Sequence, residues 1–417
     1  MRLWDYLSAR MERYADRVAF ANAGLTYADI LRIGKPQRRE REFRLCEGKT
    51  REETALAVLC CLAEGDVAVP VSLEYGANSH EYIRQTVATT KTSPNDLAFV
   101  MFTSGTTGKP KGVMLTDENI CANLDAIGTY FDLRGCESIC IARPLVHIAV
   151  LTGELLYALI NGLTVYFYEE AFMPQRLLAY IERHGIEVMC GTPTLLSALS
   201  KVSTDRDVVL KVCAISGEIL TENTARQLST AFPNTEFYNV YGLTEHSPRV
   251  SALLPHEFAA HPGSVGKPIS GVEIKIQDGE LLVKSQSIMK GYLDDRQSTQ
   301  AKVKDGWLYT ADAAHTDIDG YIYIEGRKDN MIIRSGLNIY PEEIERAAME
   351  MCGIEDCVVF GEASEYGTVI CLKYVGDIEP QSLRKLLLKS LHASNMPNKI
   401  ERVEKLPRTA SGKKLRK

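Results

Sequence analysis

The chain lacks a surplus of positive charge: its formal net charge of −6 gives no case for general nucleic-acid binding. It also lacks any Cys-x-x-Cys pair. Its 11 cysteines are odd in number and scattered, with Cys60 beside Cys61 and Cys136 near Cys140. They read as free thiols of a reducing compartment, which excludes a zinc framework and a disulfide scaffold. The opening residues, MRLWDYLSARMERYADR, carry charge throughout and form no signal peptide; the expectation is a cytoplasmic protein. A membrane span is missing too. The one stretch that resembles a span, His147 to Tyr168, is interrupted by Gly153, Glu154, Asn161 and Gly162 and closes on β-branched and aromatic residues. That pattern predicts a buried helix running into a buried strand. No internal repeat is visible, and the glycine-rich stretch does not have the Gly-x4-Gly-Lys-Ser/Thr spacing of a P-loop.

What is present is a chain of 417 residues with 45% hydrophobic and 24% charged residues, globular and too long for one core, so about two to three domains are expected. Its most informative stretch is Phe102 to Val113, FTSGTTGKPKGV, which follows the apolar run Leu97 to Phe102. Gly105, Gly108 and Gly112 permit turns that a Cβ would block and leave backbone N–H groups free to face an anion. Thr103, Ser104, Thr106 and Thr107 add hydroxyl donors, while Lys109 and Lys111 add positive charge. A Gly/Ser/Thr run by itself reads as a linker. Hydroxyls and lysines in this order after a strand suit a polyphosphate.

Residues 1–33 read as a helix, a short strand, a turn and a helix opening at Thr26. The mixed-charge run 34–52 reads as solvated, Thr54 to Val71 as helix, turn and buried strand, and 86–95 as a loop. From Asp117 helices and strands alternate. The helices Pro174 to His184 and Glu222 to Ala231 lie among the strands Glu187 to Cys190, Val208 to Ser216 and Glu236 to Val240. This alternation predicts α/β architecture, with doubly wound βαβ subdomains around a parallel sheet. From about His261 short alternating strands, Val272 to Ile276 and Leu281 to Lys284, predict a small antiparallel β-barrel region or sheet. Residues 339–417 return to α+β, with a helix from Pro341, strands near Cys357 to Phe360 and Thr368 to Val375, and a helix from Glu379 to Leu391.

Four further stretches line up behind the glycine loop: YNVYGLTE from Tyr238, GWLYTADAA from Gly306, GRKDNMIIRSGLNIYPEEIE from Gly326 and LPRTASGKKLRK from Leu406. In this order they resemble the adenylate-forming superfamily of acyl- and aryl-CoA synthetases, peptide-synthetase adenylation domains and luciferases. The resemblance runs from about residue 17 to the C-terminus, and NIYPEEIE places it nearest the CoA-ligase branch. It implies a large N-terminal domain, residues 1–329, joined by a hinge at Asp329 to a small α+β C-terminal domain, residues 330–417. The activity implied is ATP-dependent conversion of a carboxylic acid to an acyl-adenylate, then transfer to a thiol.

The resemblance also assigns roles. Thr103, Ser104, Gly105, Thr106, Thr107, Gly108 and Lys111 would hold the departing pyrophosphate. Glu245 would bind Mg²⁺, with Thr103 as a second contact. Tyr241, with Gly242 beside it, would lie against adenine, Thr244 would contact the α-phosphate, and Asp312 and Arg327 would hold the ribose. Lys413 is the expected catalytic lysine, with Lys414 the neighbour most easily confused with it. His147 matches a position that gates the carboxylate end of the acid pocket. No Asp lies between Val146 and Gly153 to hold an amino acid's ammonium, which implies a plain acyl or aryl acid. The acceptor is left between CoA and the phosphopantetheine thiol of an acyl or peptidyl carrier protein, and a non-catalytic nucleotide-binding relative stays open. The chain departs from the family's pattern in the charged run 34–52, which implies a trimmed first half-sheet, and in Ala311, where the family commonly has glycine.

Overall fold

The computed structural model describes residues 1–33, 40–71, 77–103, 110–203, 208–334, 337–364, 367–408 and 414–416. The largest layer is a nine-stranded sheet in the order Lys267–Pro268, Arg249–Leu253, Glu236–Gly242, Val212–Ile215, Val188–Gly191, Ser138–Ile141, Thr164–Phe167, Val18–Phe20, Leu25–Thr26. The strands from Glu236–Gly242 to Val18–Phe20 run parallel, and the edge strands are antiparallel. Helices Pro174–His184, Pro193–Ser200 and Glu222–Ala231 make the crossovers. Strands buried at every residue, such as Val188–Gly191 and Val212–Ile215, are what a sheet covered on both faces requires. From His147 the weakly charged stretch forms a helix with a π-helical segment, Leu151–Leu156, before the strand Thr164–Phe167. No helix among the described residues is long and apolar enough to cross a membrane.

A second sheet has five strands, in the order Gly291–Tyr292, Lys111–Thr116, Leu97–Thr103, Val67–Pro70, Phe43–Cys46. Two expectations are corrected here. The charged run 34–52 is not simply solvated, since it supplies the edge strand Phe43–Cys46 and the buried Arg41, paired with Asp117. Arg44, which hides the strand in the sequence, is spent on Asp66 at 2.8 Å and on Glu64. The run therefore contributes one strand to this sheet. Residues 86–89 continue the helix Ala77–Thr89 instead of opening a loop. Two strand bounds also shift: Val208 to Ser216 contracts to Val212–Ile215, and Glu236 to Val240 extends to Gly242.

The antiparallel region is a five-stranded sheet centred on Trp307–Thr316, flanked by Glu280–Lys284 and Ile322–Arg327. Gly291–Tyr292, which follows Glu280–Lys284 in the chain, pairs with Lys111–Thr116 of the second sheet. The smaller C-terminal domain packs helices Pro341–Met349 and Pro380–Ser390 with strands Ile354–Ser364, Gly367–Gly376 and Lys399–Arg402 around its own apolar cluster, which includes Ile344, Val359, Leu372 and Leu387.

Candidate active site

The strand Glu236–Gly242 carries the first part of the site to the carboxyl end of the large sheet. A Cβ on Gly242 would lie 2.1 Å from the Pro248 carbonyl oxygen, so only glycine fits this turn. One residue earlier, the Tyr241 hydroxyl donates to Asp312 Oδ2. Asp312 lies opposite Arg327 across the antiparallel sheet. Arg327 donates through NH1 to Asp312 Oδ1 at 3.0 Å and through NH2 to Asp329 Oδ2 at 3.0 Å. Asp329 itself lies in the short turn Lys328–Asn330. Burial raises the Asp312 carboxyl above its usual range, with Arg327 and Tyr241 opposing. Burial also raises the Tyr241 phenol, reinforced by Asp312, so the phenol stays a neutral donor.

Beyond Gly242 the chain makes the turn Thr244–His246. Half-buried Glu245 accepts from the Tyr292 hydroxyl at 2.7 Å. Tyr292 pairs with Val113 on the strand that leaves the glycine loop. Lys111 Nζ donates to Ser298 Oγ at 2.7 Å and stands 5.2 Å from the Tyr292 ring centre. Thr103 pairs with Lys111 across the two strands, so both lie on the sheet that carries Tyr292. Ser104, Gly105, Thr106, Thr107, Gly108 and Lys413 lie outside the described residues. His147 begins the helix that holds the π-helical segment. His246 is a packing residue: fully buried, its Nε2 lies 2.7 Å from Ser285 Oγ, and burial pulls its pKa down to about 4.

Sequence reasoning missed Tyr292 and Lys302. Lys302 Nζ donates to the Thr310 carbonyl oxygen at 3.0 Å, and burial lowers its pKa, with Glu245 opposing. Nothing in the polar helix Arg296–Lys302 marks this lysine; only the approach of that helix to Trp307–Thr316 does. Ala311 takes the left-handed conformation at φ 63, its N–H donating to Glu280 Oε1 at 2.8 Å. The strained conformation costs an alanine about 1–2 kcal/mol, against about 0.4–1 kcal/mol of unfolded-chain entropy added by glycine. Ala311→Gly is therefore expected to stabilise the protein by about 1 kcal/mol, measured by denaturant unfolding of both proteins.

At the C-terminus Lys414 is taken up by Asp356 at 2.6 Å and the Cys357 carbonyl at 2.8 Å, and Arg416 by Glu342 and Glu345. Of the basic residues Lys399, Arg402, Lys405 and Arg408, three are spent on acids of the same domain. Lys399 pairs with Glu362, Arg402 with Asp377, and Arg408 with Asp356.

The family profile for AMP-binding enzymes matches residues 78–293, just over half of the chain, and that for the AMP-binding enzyme C-terminal domain matches 343–413. The chain belongs to the AMP-binding enzyme family. This AMP-binding enzyme lies on the acyl- and aryl-CoA ligase branch of the adenylate-forming superfamily. It is 33% identical over 343 residues to the long-chain-fatty-acid–CoA ligase of Salmonella typhimurium, over 77% of this chain, and spans 61% of that ligase's length. To the 2-succinylbenzoate–CoA ligase of Listeria monocytogenes it is 33% identical over 326 residues, covering 76% of this chain and 68% of the relative. Its fold matches that of o-succinylbenzoate coenzyme A synthetase from Bacillus subtilis, solved in complex with ATP and magnesium ion. The TM-score is 0.87 at 24% identity, over 99% of this chain and 98% of that one.

Proposed function

We propose that this AMP-binding enzyme activates a carboxylic acid with ATP as an acyl-adenylate, releasing pyrophosphate, and then transfers the acyl group to coenzyme A. The observation that carries the reading is the meeting of Tyr241, Asp312 and Arg327, from three separate sequence motifs, in one hydrogen-bonded cluster. The names of the relatives, each a ligase of an acid with CoA, support it. In the first step an oxygen of the acid attacks the α-phosphorus of ATP, and the bond to pyrophosphate breaks. Asp312 accepts from the ribose hydroxyls, Arg327 fixes the Asp312 carboxylate, and Tyr241 lies against adenine. Thr103 and Lys111, with the loop between them, hold the departing pyrophosphate; Thr244 and Lys413 meet charge developing at the α-phosphate and the acid. In the second step the thiol attacks the acyl carbon, and AMP leaves. Asp329 serves as the hinge, with residues 330–417 presenting Lys413 for the first step only. The free thiols of the chain suit a cytoplasmic setting. The phosphopantetheine arm of a carrier protein offers the same thiol chemistry as an acceptor.

Among the described residues no three His, Cys, Asp or Glu side chains are grouped to hold a metal. Glu245 is a lone carboxylate with one oxygen engaged by Tyr292, which fits a hard cation held through one carboxylate, water and phosphate oxygens. Mg²⁺ held there, with Thr103 as a second contact, would neutralise phosphate charge. Glu245→Gln is expected to raise the Mg²⁺ concentration needed for half-maximal rate by about tenfold; an unchanged metal titration removes this assignment. The whole reading is tested by acid-dependent exchange of labelled pyrophosphate into ATP across a panel of acids, followed by release of the acyl group to CoA. Nucleotide binding without exchange for any acid would favour a sensor.

A further inference from the structure

We propose that the acid activated by this protein carries a second anionic group, a carboxylate, which Arg249 binds at the carboxyl end of the parallel sheet. The proposal rests on the acid-activating reading above. The chain order of the large sheet reverses between Ser138–Ile141 and Val188–Gly191. The next strand, Thr164–Phe167, lies on one side of this pair, and Val212–Ile215 and Glu236–Gly242 lie on the other. Open α/β sheets bind ligands in the crevice outside such a reversal. Arg143 follows the first of these strands, Ser216 follows Val212–Ile215, and Arg249 lies opposite Gly242.

The charges gathered there do not balance. Arg143 is 9%, Arg249 3% and Glu154 0% exposed. Arg143 spends its charge on Glu154 Oε1, to which Nε donates at 3.1 Å, and its NH1 donates to Ser216 Oγ at 3.2 Å. Arg249 has its backbone fixed by Asn123, at 3.1 and 3.0 Å, and its side chain meets the Tyr130 phenol and the field of Glu154, but no ion pair joins it to an acid of its own among the described residues. Its guanidinium lies against the helix at Gly153, where a Cβ would come within 2.7 Å of NH2. Glycine at this position makes the room for the cation. Two buried guanidinium groups thus face one buried carboxylate, and an unpaired buried charge is costly. Thr152 Oγ1 and Glu154 Oε2, on either side of Gly153, are buried without a hydrogen-bond partner among the described residues, and such atoms call for a missing partner. All three residues belong to the π-helical segment Leu151–Leu156, a form of helix concentrated at functional sites. A carboxylate on the ligand answers Arg249 and accepts from Thr152. An ammonium would meet net positive charge, and an apolar tail would leave Arg249 desolvated and unpaired.

The test is pyrophosphate exchange by the full chain with monocarboxylic and dicarboxylic acids of matched length. The dicarboxylic acid should be used with a kcat/KM at least about tenfold higher, and Arg249→Leu should lower its kcat/KM about 100-fold or more, reversing the preference; Arg249→Lys should recover part of the loss. No preference in the wild type, or equal losses on both acids in R249L, overturns the proposal and leaves Arg249 a structural residue. If R249L does not fold, the wild-type preference and R249K give the same decision. If no acid supports exchange, the acid-activating reading fails, and calorimetry with the dicarboxylic acid decides the anion site alone. Saturable binding that R249K weakens keeps it, and no binding ends it.

Discussion

Asp312→Asn is expected to raise the KM for ATP about 10²- to 10⁴-fold, the loss of two charge-assisted hydrogen bonds at about 1.5–3 kcal/mol each. The carboxylate is buried and bonded on both sides, to Arg327 at 3.0 Å and to the Tyr241 hydroxyl. An asparagine cannot accept on both sides, because its amide nitrogen would face either a guanidinium or a phenol donor. Arg327 would keep Asp329, at 3.0 Å, and the Thr310 carbonyl oxygen, at 3.3 Å, but lose the carboxylate it fixes. Because the adenylate carries the same ribose, D312N should impair both adenylate formation and thiolysis of supplied acyl-adenylate, while the KM for the acid moves little. Steady-state kinetics with each substrate varied in turn checks this. A large rise in the acid's KM with ATP untouched would place Asp312 elsewhere in the chemistry.

The residues of that cluster were legible in the sequence because each sits inside a motif whose order is itself informative, and the fold followed from helices and strands alternating at ordinary lengths. What stayed hidden was made by approach between distant segments. Tyr292 reaches Glu245 only because Gly291–Tyr292 leaves the antiparallel region and joins the strand after the glycine loop. Lys302 becomes a half-buried cation only where its helix meets Thr310. The edge strand Phe43–Cys46 was obscured by Arg44, whose charge is absorbed by Glu64 and Asp66 from the neighbouring turn. Arg249, set between serines at the start of a short strand, is indistinguishable from a surface arginine until Gly153 is seen against it.

The second large effect separates two adjacent lysines. Lys413→Ala is expected to slow adenylate formation about 10²- to 10³-fold, the usual cost of removing one group aimed at developing charge, while thiolysis of supplied acyl-adenylate stays within about threefold. Lys414→Ala should do neither. The Lys414 ammonium is already bound to Asp356 at 2.6 Å and to the Cys357 carbonyl at 2.8 Å on the strand Ile354–Ser364. Burial works against that ammonium, yet the nearby Asp356 holds its pKa above the ordinary value. Its loss should cost the C-terminal domain about 1–3 kcal/mol, less than a fully buried pair, because Arg408 also pairs with Asp356. Arg408 and Lys414 pair with each other through their backbones, so the ion pair of Lys414 serves to hold this end of the chain on the C-terminal domain. Single-turnover measurement of the two half-reactions, with thermal unfolding alongside, tells the two lysines apart. If K413A slows both half-reactions equally, the two-pose account of residues 330–417 fails. If K414A abolishes adenylation in a folded protein, the catalytic ammonium has been assigned one residue too early.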